Sequence, residues 1–433
     1  MEKRVIESSR LGEKYTVIKH DSGLTICLYP MEKYSSAFAI FGTKYGSVDT
    51  VFKTGSDKDY VTVPEGIAHY LEHKLFENDD SGGAMEQFAA TGASCNAYTT
   101  FDSTAYYFGC TDKFGENLRI LLNFVQNPYF TAESVEKERG IIGQEIKIYL
   151  DDPGWRVFFN GLNALYHNNP VRIDIAGTTE SIQQIDEKLL YRCYNTFYNL
   201  NNMVLSIAGR FDPDEALAIC DELLKKSEDK GLSVIIPEEP YEVKEKRVVQ
   251  QLYCAVPLFQ LGFKKKNYEE REAKRQYIIH NIMLEAALGD FSPFYSRLYD
   301  SGLINDTFSL GVTMGRGFFI PMVSGESRDP DKVCEELKKE LSRLKKEGIP
   351  KDSFDVVRKM TYGELLSGFG TVGNVAKGAM NAQFSGINLY DNLETAASVS
   401  YEDVMTALSE LDLENSSLSI IEPPEKKGEV GNV

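Results

Sequence analysis

Residues Pro64–Glu77 read Pro-Glu-Gly-Ile-Ala-His-Tyr-Leu-Glu-His-Lys-Leu-Phe-Glu, and this stretch sets the reading of the whole chain. A helix is predicted here. Pro64 and Glu65 suit its first turn, where a missing N–H costs nothing and an acid meets the positive end of the dipole. At about 100° per residue, His69, Glu72 and His73 share one face. Ile67, Ala68, Leu71 and Leu75 share roughly the opposite face, which suits a core. Two histidines at i and i+4 can grip one zinc ion, and a glutamate between them can act on water activated by the ion. The competing reading is a solvated surface pair. With five histidines in 433 residues, two of them four apart around a glutamate argue against chance.

A second, independent signal lies in Ala132–Leu150, also predicted to be helical. Val135, Ile141, Ile142, Ile146 and Tyr149 make one apolar side, with Glu138 and Glu145 in the middle of it, seven residues apart. A carboxylate aimed at a core is costly without a partner, and a cation is such a partner. A buried salt bridge or a solvated groove would also explain the pair, and the helix alone leaves these open.

Bulk properties narrow the classes. The hydrophobic share of 42% supports substantial cores, and 433 residues leave room for two or three domains. A net charge of −18 argues against nucleic-acid binding, which needs a basic stripe. No run of about 18 apolar residues occurs, so no membrane span is expected. The start, Met-Glu-Lys-Arg-Val-Ile-Glu, lacks a hydrophobic signal region. The seven cysteines are scattered without a Cys-x-x-Cys pair, which suits reduced thiols and a cytoplasmic location.

Working outward, strands are expected over residues 14–28 and 36–45, and a loop over 78–83. A hairpin is expected from Ser94–Thr100 and Thr104–Cys110, whose first strand would suit a sheet edge able to pair with an extended peptide. An ordinary hairpin explains it as well. Helices are expected over Phe114–Asn127, Trp155–Leu165, Ile182–Tyr198 and Asp212–Lys226, with a strand at Asn202–Gly209. The composition shift at 228–246 reads as a linker. The order then begins again: a strand at Gln250–Val256, a helix at Glu272–Leu288, strands at Phe308–Val312 and Phe318–Ser324, helices at Asp331–Lys346, Lys351–Leu366 and Tyr401–Leu413, and a strand at Ser416–Ile421. The expected fold is α+β: two similar tandem α/β domains, each a mixed, largely antiparallel sheet packed with helices, related by internal duplication. Their bounds are 1–227 and 247–425, with a tail at 426–433. His280, alone on its helix, is read as structural.

Several ordered pieces carry a family resemblance: Gly66–Glu77, Ala93–Thr99 (Ala-Ser-Cys-Asn-Ala-Tyr-Thr), Ser134–Glu145, Asp152-Pro153, Gly177-Thr178 with Glu180-Ser181-Ile182, and Asn202-Met203. The chain resembles the pitrilysin/insulinase family of zinc peptidases, whose His-x-x-Glu-His order inverts the commoner metalloprotease motif. It is most like bacterial insulinase-like or processing-peptidase-like members of about this length. The resemblance implies a zinc metalloendopeptidase holding one zinc ion on His69, His73 and Glu145, with Glu72 as general base. Glu138 matches a second acidic position near the site, and Asn96 and Ala97 match the edge that holds the substrate backbone. It also implies a peptide substrate and a homodimer, or a heterodimer with a homologous subunit. A non-catalytic or partner-dependent subunit is the alternative. Ser296-Arg297-Leu298 resembles the family's Ser-Arg-Leu, whose arginine helps hold substrate. Asn305, however, stands where the family carries a tyrosine, and Tyr295, Tyr299 or a partner chain would have to replace it.

Overall fold

The computed structural model describes residues 1–76 and 83–424; the loop expected over 78–83 (Gly83 apart) and the tail at 426–433 lie outside them. In chain order come β1 (Glu2–Ser8), β2 (Glu13–Lys19), β3 (Thr25–Pro30), β4 (Ala37–Thr43), β5 (Val51–Lys53), β6 (Val61–Thr62), α1 (Ile67–Leu75), α2 (Ala84–Thr91), β7 (Ser94–Thr99), β8 (Thr104–Cys110), α3 (Phe114–Gln126), α4 (Ala132–Asp151), α5 (Pro153–Leu165), α6 (Glu187–Phe197), β9 (Met203–Gly209) and α7 (Pro213–Leu223). There follow β10 (Ser233–Val234), β11 (Arg247–Gln251), β12 (Leu258–Phe263), α8 (Glu270–Leu288), α9 (Pro293–Asp300), β13 (Ser309–Gly315), β14 (Phe318–Glu326), α10 (Pro330–Glu347), α11 (Lys351–Gly368), α12 (Val372–Phe384), α13 (Asp391–Ser398), α14 (Tyr401–Ser409) and β15 (Ser416–Glu422).

The duplication is written in the sheets. One has the order β1-β2-β3-β9-β4-β8-β7 and the other β11-β15-β12-β14-β13. In the first, β3 and β9 run parallel while β9-β4, β4-β8 and β8-β7 are antiparallel. In the second, β11 and β15 run parallel and the remaining pairs are antiparallel. Five strands of the first sheet thus match the whole second sheet in chain order and direction. The β1–β2 hairpin is the first sheet's addition.

The compact units do not follow the bounds expected from the sequence. One comprises residues 1–146, 174–236 and 362–395, and the other 147–173, 237–361 and 396 onward. The α5 helix, early in the chain, packs on β15, β12 and β11, while α12, late in the chain, packs on β9, β4 and β3. The same device seats both helices. A Cβ on Gly42 of β4 would lie 2.5 Å from Met380 Sδ, and one on Gly262 of β12 would lie 2.8 Å from Leu165 Cδ1. Each glycine lets a helix side chain come down onto the sheet. Periodicity announces that α5 has an apolar face but not which sheet will bury it, so a division at 227 and 247 misses the exchange. Nor is 228–246 a free linker. Ser233–Val234 pairs with β5, and Glu239 accepts the backbone N–H groups of His167, Asn168 and Asn169 at 2.7–2.8 Å.

Other expectations also shift. The strand expected at Gln250–Val256 overlaps only the end of β11, which stops at Gln251, and β12 follows at Leu258 as a strand not anticipated. The residues of β12, Leu-Phe-Gln-Leu-Gly-Phe, are buried on both faces apart from a half-buried Leu258, so they show no alternation to read. The helix expected from Ile182 begins at Glu187, where the Asp186 side chain caps it by accepting from Leu189 N–H. The β1, α12 and α13 elements were not anticipated.

Candidate metal centre

The α1 helix starts later than expected. Gly66 takes φ 87° at its N-cap, and a Cβ there would lie 2.4 Å from Ala176 O. The backbone of residues 65–66 lies against that of 176–177, and Ser181 Oγ donates to Glu65 O at 2.9 Å. Pro64 and Glu65 therefore precede the helix, because only glycine fits both the turn and the close approach. Ile67, Ala68, Tyr70, Leu71 and Leu75 are buried. Tyr70 Oη donates to Val135 O, tying α1 to α4. His69 is buried as well, 8% exposed, so the polar front of α1 faces a recess rather than open solvent.

The two helices bring the candidate ligands together. His73 Nε2 lies 3.4 Å and His69 Nε2 3.8 Å from Glu145 Oε2. One donor atom from each of the three residues falls within 4.8 Å of the others. Ligands about 2.0–2.2 Å from a tetrahedral ion stand roughly 3.4 Å apart, and a two-imidazole, one-carboxylate set is a catalytic zinc type. The residues present therefore fit one zinc ion with a position left open. Behind this set, His73 Nδ1 lies 2.9 Å from Glu138 Oε1. A carboxylate on the far nitrogen fixes the tautomer that presents Nε2 forward. His69 Nδ1 is buried without a hydrogen-bond partner among the described residues, so packing orients that ring.

The electrostatics follow the geometry. Burial, helped by the neighbouring His73, pushes His69 down to about 4. Burial would also lower His73, but hydrogen bonds to Glu138 and Glu145 overcome it and raise the imidazole to about 10 in the metal-free site. Burial would raise Glu138, yet its bond to His73, with the charges of His73, Lys74 and Lys137, holds it below the usual carboxylate range. Burial raises Glu72, against the opposing hydrogen bond from Thr99. A pocket that stabilises one imidazolium on three acids is one that favours a cation.

The α4 side chains divide differently from the expected wheel. Val135, Glu138, Ile142 and Ile146 are buried, but Ile141 is 49% exposed. Glu145, partly exposed, thus lies at the margin of the buried face rather than inside it.

The hairpin β7–β8 is as expected, with β7 at the sheet edge. Thr100 N–H bonds to Ser103 O, so by antiparallel alternation Ala97 directs its N–H and C=O outward. That outward N–H is held at 2.8 Å by Asn96 Oδ1. Thr99 Oγ1 donates to Glu72 Oε2 at 2.7 Å, a contact not anticipated from the sequence. The one available signal was the alternation of Cys95, Ala97 and Thr99 on a single face. Arg297 lies on α9 in the other unit, its guanidinium half exposed and 2.7 Å from Glu336 Oε2. In the same unit Asn305 Nδ2 donates to Glu326 Oε2 at 2.9 Å, and Tyr295 stacks on Tyr299.

Comparison with known proteins bears on this site. Residues 42–179 match the model described as insulinase (peptidase family M16), and residues 184–361 match the one described as the peptidase M16 inactive domain. The uncharacterized zinc protease YmfH of Bacillus subtilis is 38% identical over 415 residues, spanning 94% of this chain and 95% of its own. A solved structure from Alicyclobacillus acidocaldarius, described as an M16-like peptidase, superposes with a TM-score of 0.90 at 33% identity over 98% of both chains. The periplasmic protease PqqL of Escherichia coli shares the fold alone, with a TM-score of 0.72 at 17% identity, and 98% of this chain covers 48% of that one. With its two-domain α+β fold, duplicated sheets and near full-length likeness to a zinc protease, the chain belongs to the M16 (insulinase) family of peptidases.

Proposed function

We propose that the chain is a zinc metalloendopeptidase that hydrolyses peptides or small unfolded polypeptides. The observation that carries this reading is the convergence of His69 Nε2, His73 Nε2 and Glu145 Oε2 beside the carboxylate of Glu72. These three residues would hold one zinc ion, which when bound polarises a peptide carbonyl and activates water near neutral pH. Glu72 is the general base, and with Oε2 taken by Thr99 its Oε1 is the oxygen left to receive the proton. Its burial raises its proton affinity, which suits a group that must also return the proton to the leaving amine. Glu138 holds His73 in the ligating orientation.

An extended substrate would add to the outward edge of β7, with its main chain on Ala97 and the Asn96 amide at the same N–H. Arg297 is a candidate for holding substrate. The partner is read as a second copy or a homologous subunit, because 98% of this chain covers 48% of the PqqL chain. No helix among the described residues is long and apolar enough to cross a membrane, and all seven cysteines are free, which supports the cytoplasm as the location.

A second reading, a subunit that needs a partner to act, is favoured by one observation: Asn305 stands where the resemblance calls for a tyrosine. A peptide-library digest with and without chelator, on the chain alone and after size-exclusion mass is known, tests both. Chelator-sensitive cleavage by the isolated chain supports the first reading. A zinc-loaded chain that cleaves nothing alone supports the second.

A further inference from the structure

The sheet edge and the catalytic base are joined by one hydroxyl. Thr99 is the last residue of β7, and its Oγ1 donates to Glu72 Oε2 at 2.7 Å. Behind it, Thr104 Oγ1 lies 3.4 Å from Thr99 Oγ1 and donates to Tyr45 O at 2.9 Å. Thr104 is fully buried and pairs directly with Thr99 across the hairpin. Glu72 has no other hydrogen-bond partner given by this geometry among the described residues, while its second oxygen is the one left for proton transfer. A glutamate has three rotatable side-chain bonds, so one bond from a rigid strand matters to where its carboxylate rests. The same strand turns the N–H and C=O of Ala97 outward, two residues before Thr99.

We propose that Thr99 is a positioning residue that fixes the Glu72 carboxylate relative to the β7 edge, so that the strand receiving the substrate main chain also sets the register of the base. The proposal rests on the peptidase reading above. The Thr99 hydroxyl acts through Glu72, to which it donates its hydrogen bond. Threonine and serine can both donate this bond, whereas valine keeps the shape of threonine and cannot.

The test compares Thr99→Val and Thr99→Ser with the full-length wild type, by steady-state peptide hydrolysis, zinc content and crystal structures of all three. The expected result is a fall of about 10–100-fold in kcat for Thr99→Val, with KM and zinc content within about twofold of wild type and the Glu72 carboxylate displaced. Thr99→Ser should recover most of the rate and keep the carboxylate in place. Wild-type kcat in Thr99→Val, or an undisplaced Glu72 in its crystal structure, overturns the proposal. An equal loss in both variants, with zinc lost, assigns Thr99 to the hairpin's stability and overturns it as well. If the wild type itself hydrolyses nothing, the peptidase reading falls and takes this proposal with it, whereas an active wild type matched in kcat by Thr99→Val sinks this proposal alone.

Discussion

The helices α1 and α8 hold corresponding places in the duplicated order, between β4 and β7 in one half and between β12 and β13 in the other. Each carries a buried histidine, and the two are used in opposite ways. His73 and His69 meet Glu138 and Glu145 from α4. His280 is fully buried, with Nδ1 2.8 Å from Gln276 O and Nε2 3.1 Å from Lys265 Nζ. Burial, with the Lys265 charge added, depresses His280 to about 3, so it stays neutral. The long helices differ in the same sense. Where α4 buries Val135 and Glu138, three residues apart, α11 buries Phe354 and Val357. Duplication copied the frame, and among the described residues only the α1–α4 pair brings together a set that could hold a metal ion.

The largest expected effect is at the base. Glu72→Gln should lower kcat by about 10²–10⁴-fold, measured on any cleaved peptide, with zinc content unchanged. A variant of wild-type rate would remove Glu72 from the mechanism. Next comes the acid behind His73. Glu138→Gln should weaken zinc retention or rate by about 10–100-fold, read by competition with a chromophoric chelator, while the thermal midpoint measured with zinc in excess stays near wild type. Unaltered zinc affinity and rate would return Glu138 to a purely structural place.

The contrast sharpens in the other half, where the readout is stability rather than turnover. The folded-state affinity of His280 for protons is depressed, so its contribution is fully present above the ordinary histidine value near 6.5 and is lost as pH falls toward about 3. Urea unfolding should show stability falling by up to about 1.4 kcal/mol per pH unit from this group below pH about 6.5. In His280→Gln that part of the slope should vanish while zinc content stays at the wild-type value. An unchanged slope would show that His280 already binds a proton in the fold. Smallest of all, Arg297→Ala should raise KM by a few-fold and leave zinc content alone; an unchanged KM would leave Arg297 as the partner of Glu336 only.

Much of the site was legible in the chain because its parts are local. The spacing of His69, Glu72 and His73 follows from helical geometry, and Glu138 and Glu145 stood out as acids on an apolar face. What could not be read depends on which distant segments meet. Ile141 looked like core, yet nothing covers it enough to bury it. The close approach of Gly66 to the 176–177 backbone, the bond from Thr99 to Glu72, and the exchange of α5 and α12 between sheets all join residues far apart in sequence. The β12 strand escaped for a different reason: burial on both faces erases the alternation by which strands are recognised.

Anomalous diffraction at the zinc edge, on crystals of the chain grown without chelator, tests the contrast between the halves most directly. One peak is predicted, between His69 Nε2, His73 Nε2 and Glu145, with none beside His280. Absence of a peak at the three ligands in zinc-supplemented crystals, or a peak in the second half instead, would contradict the account.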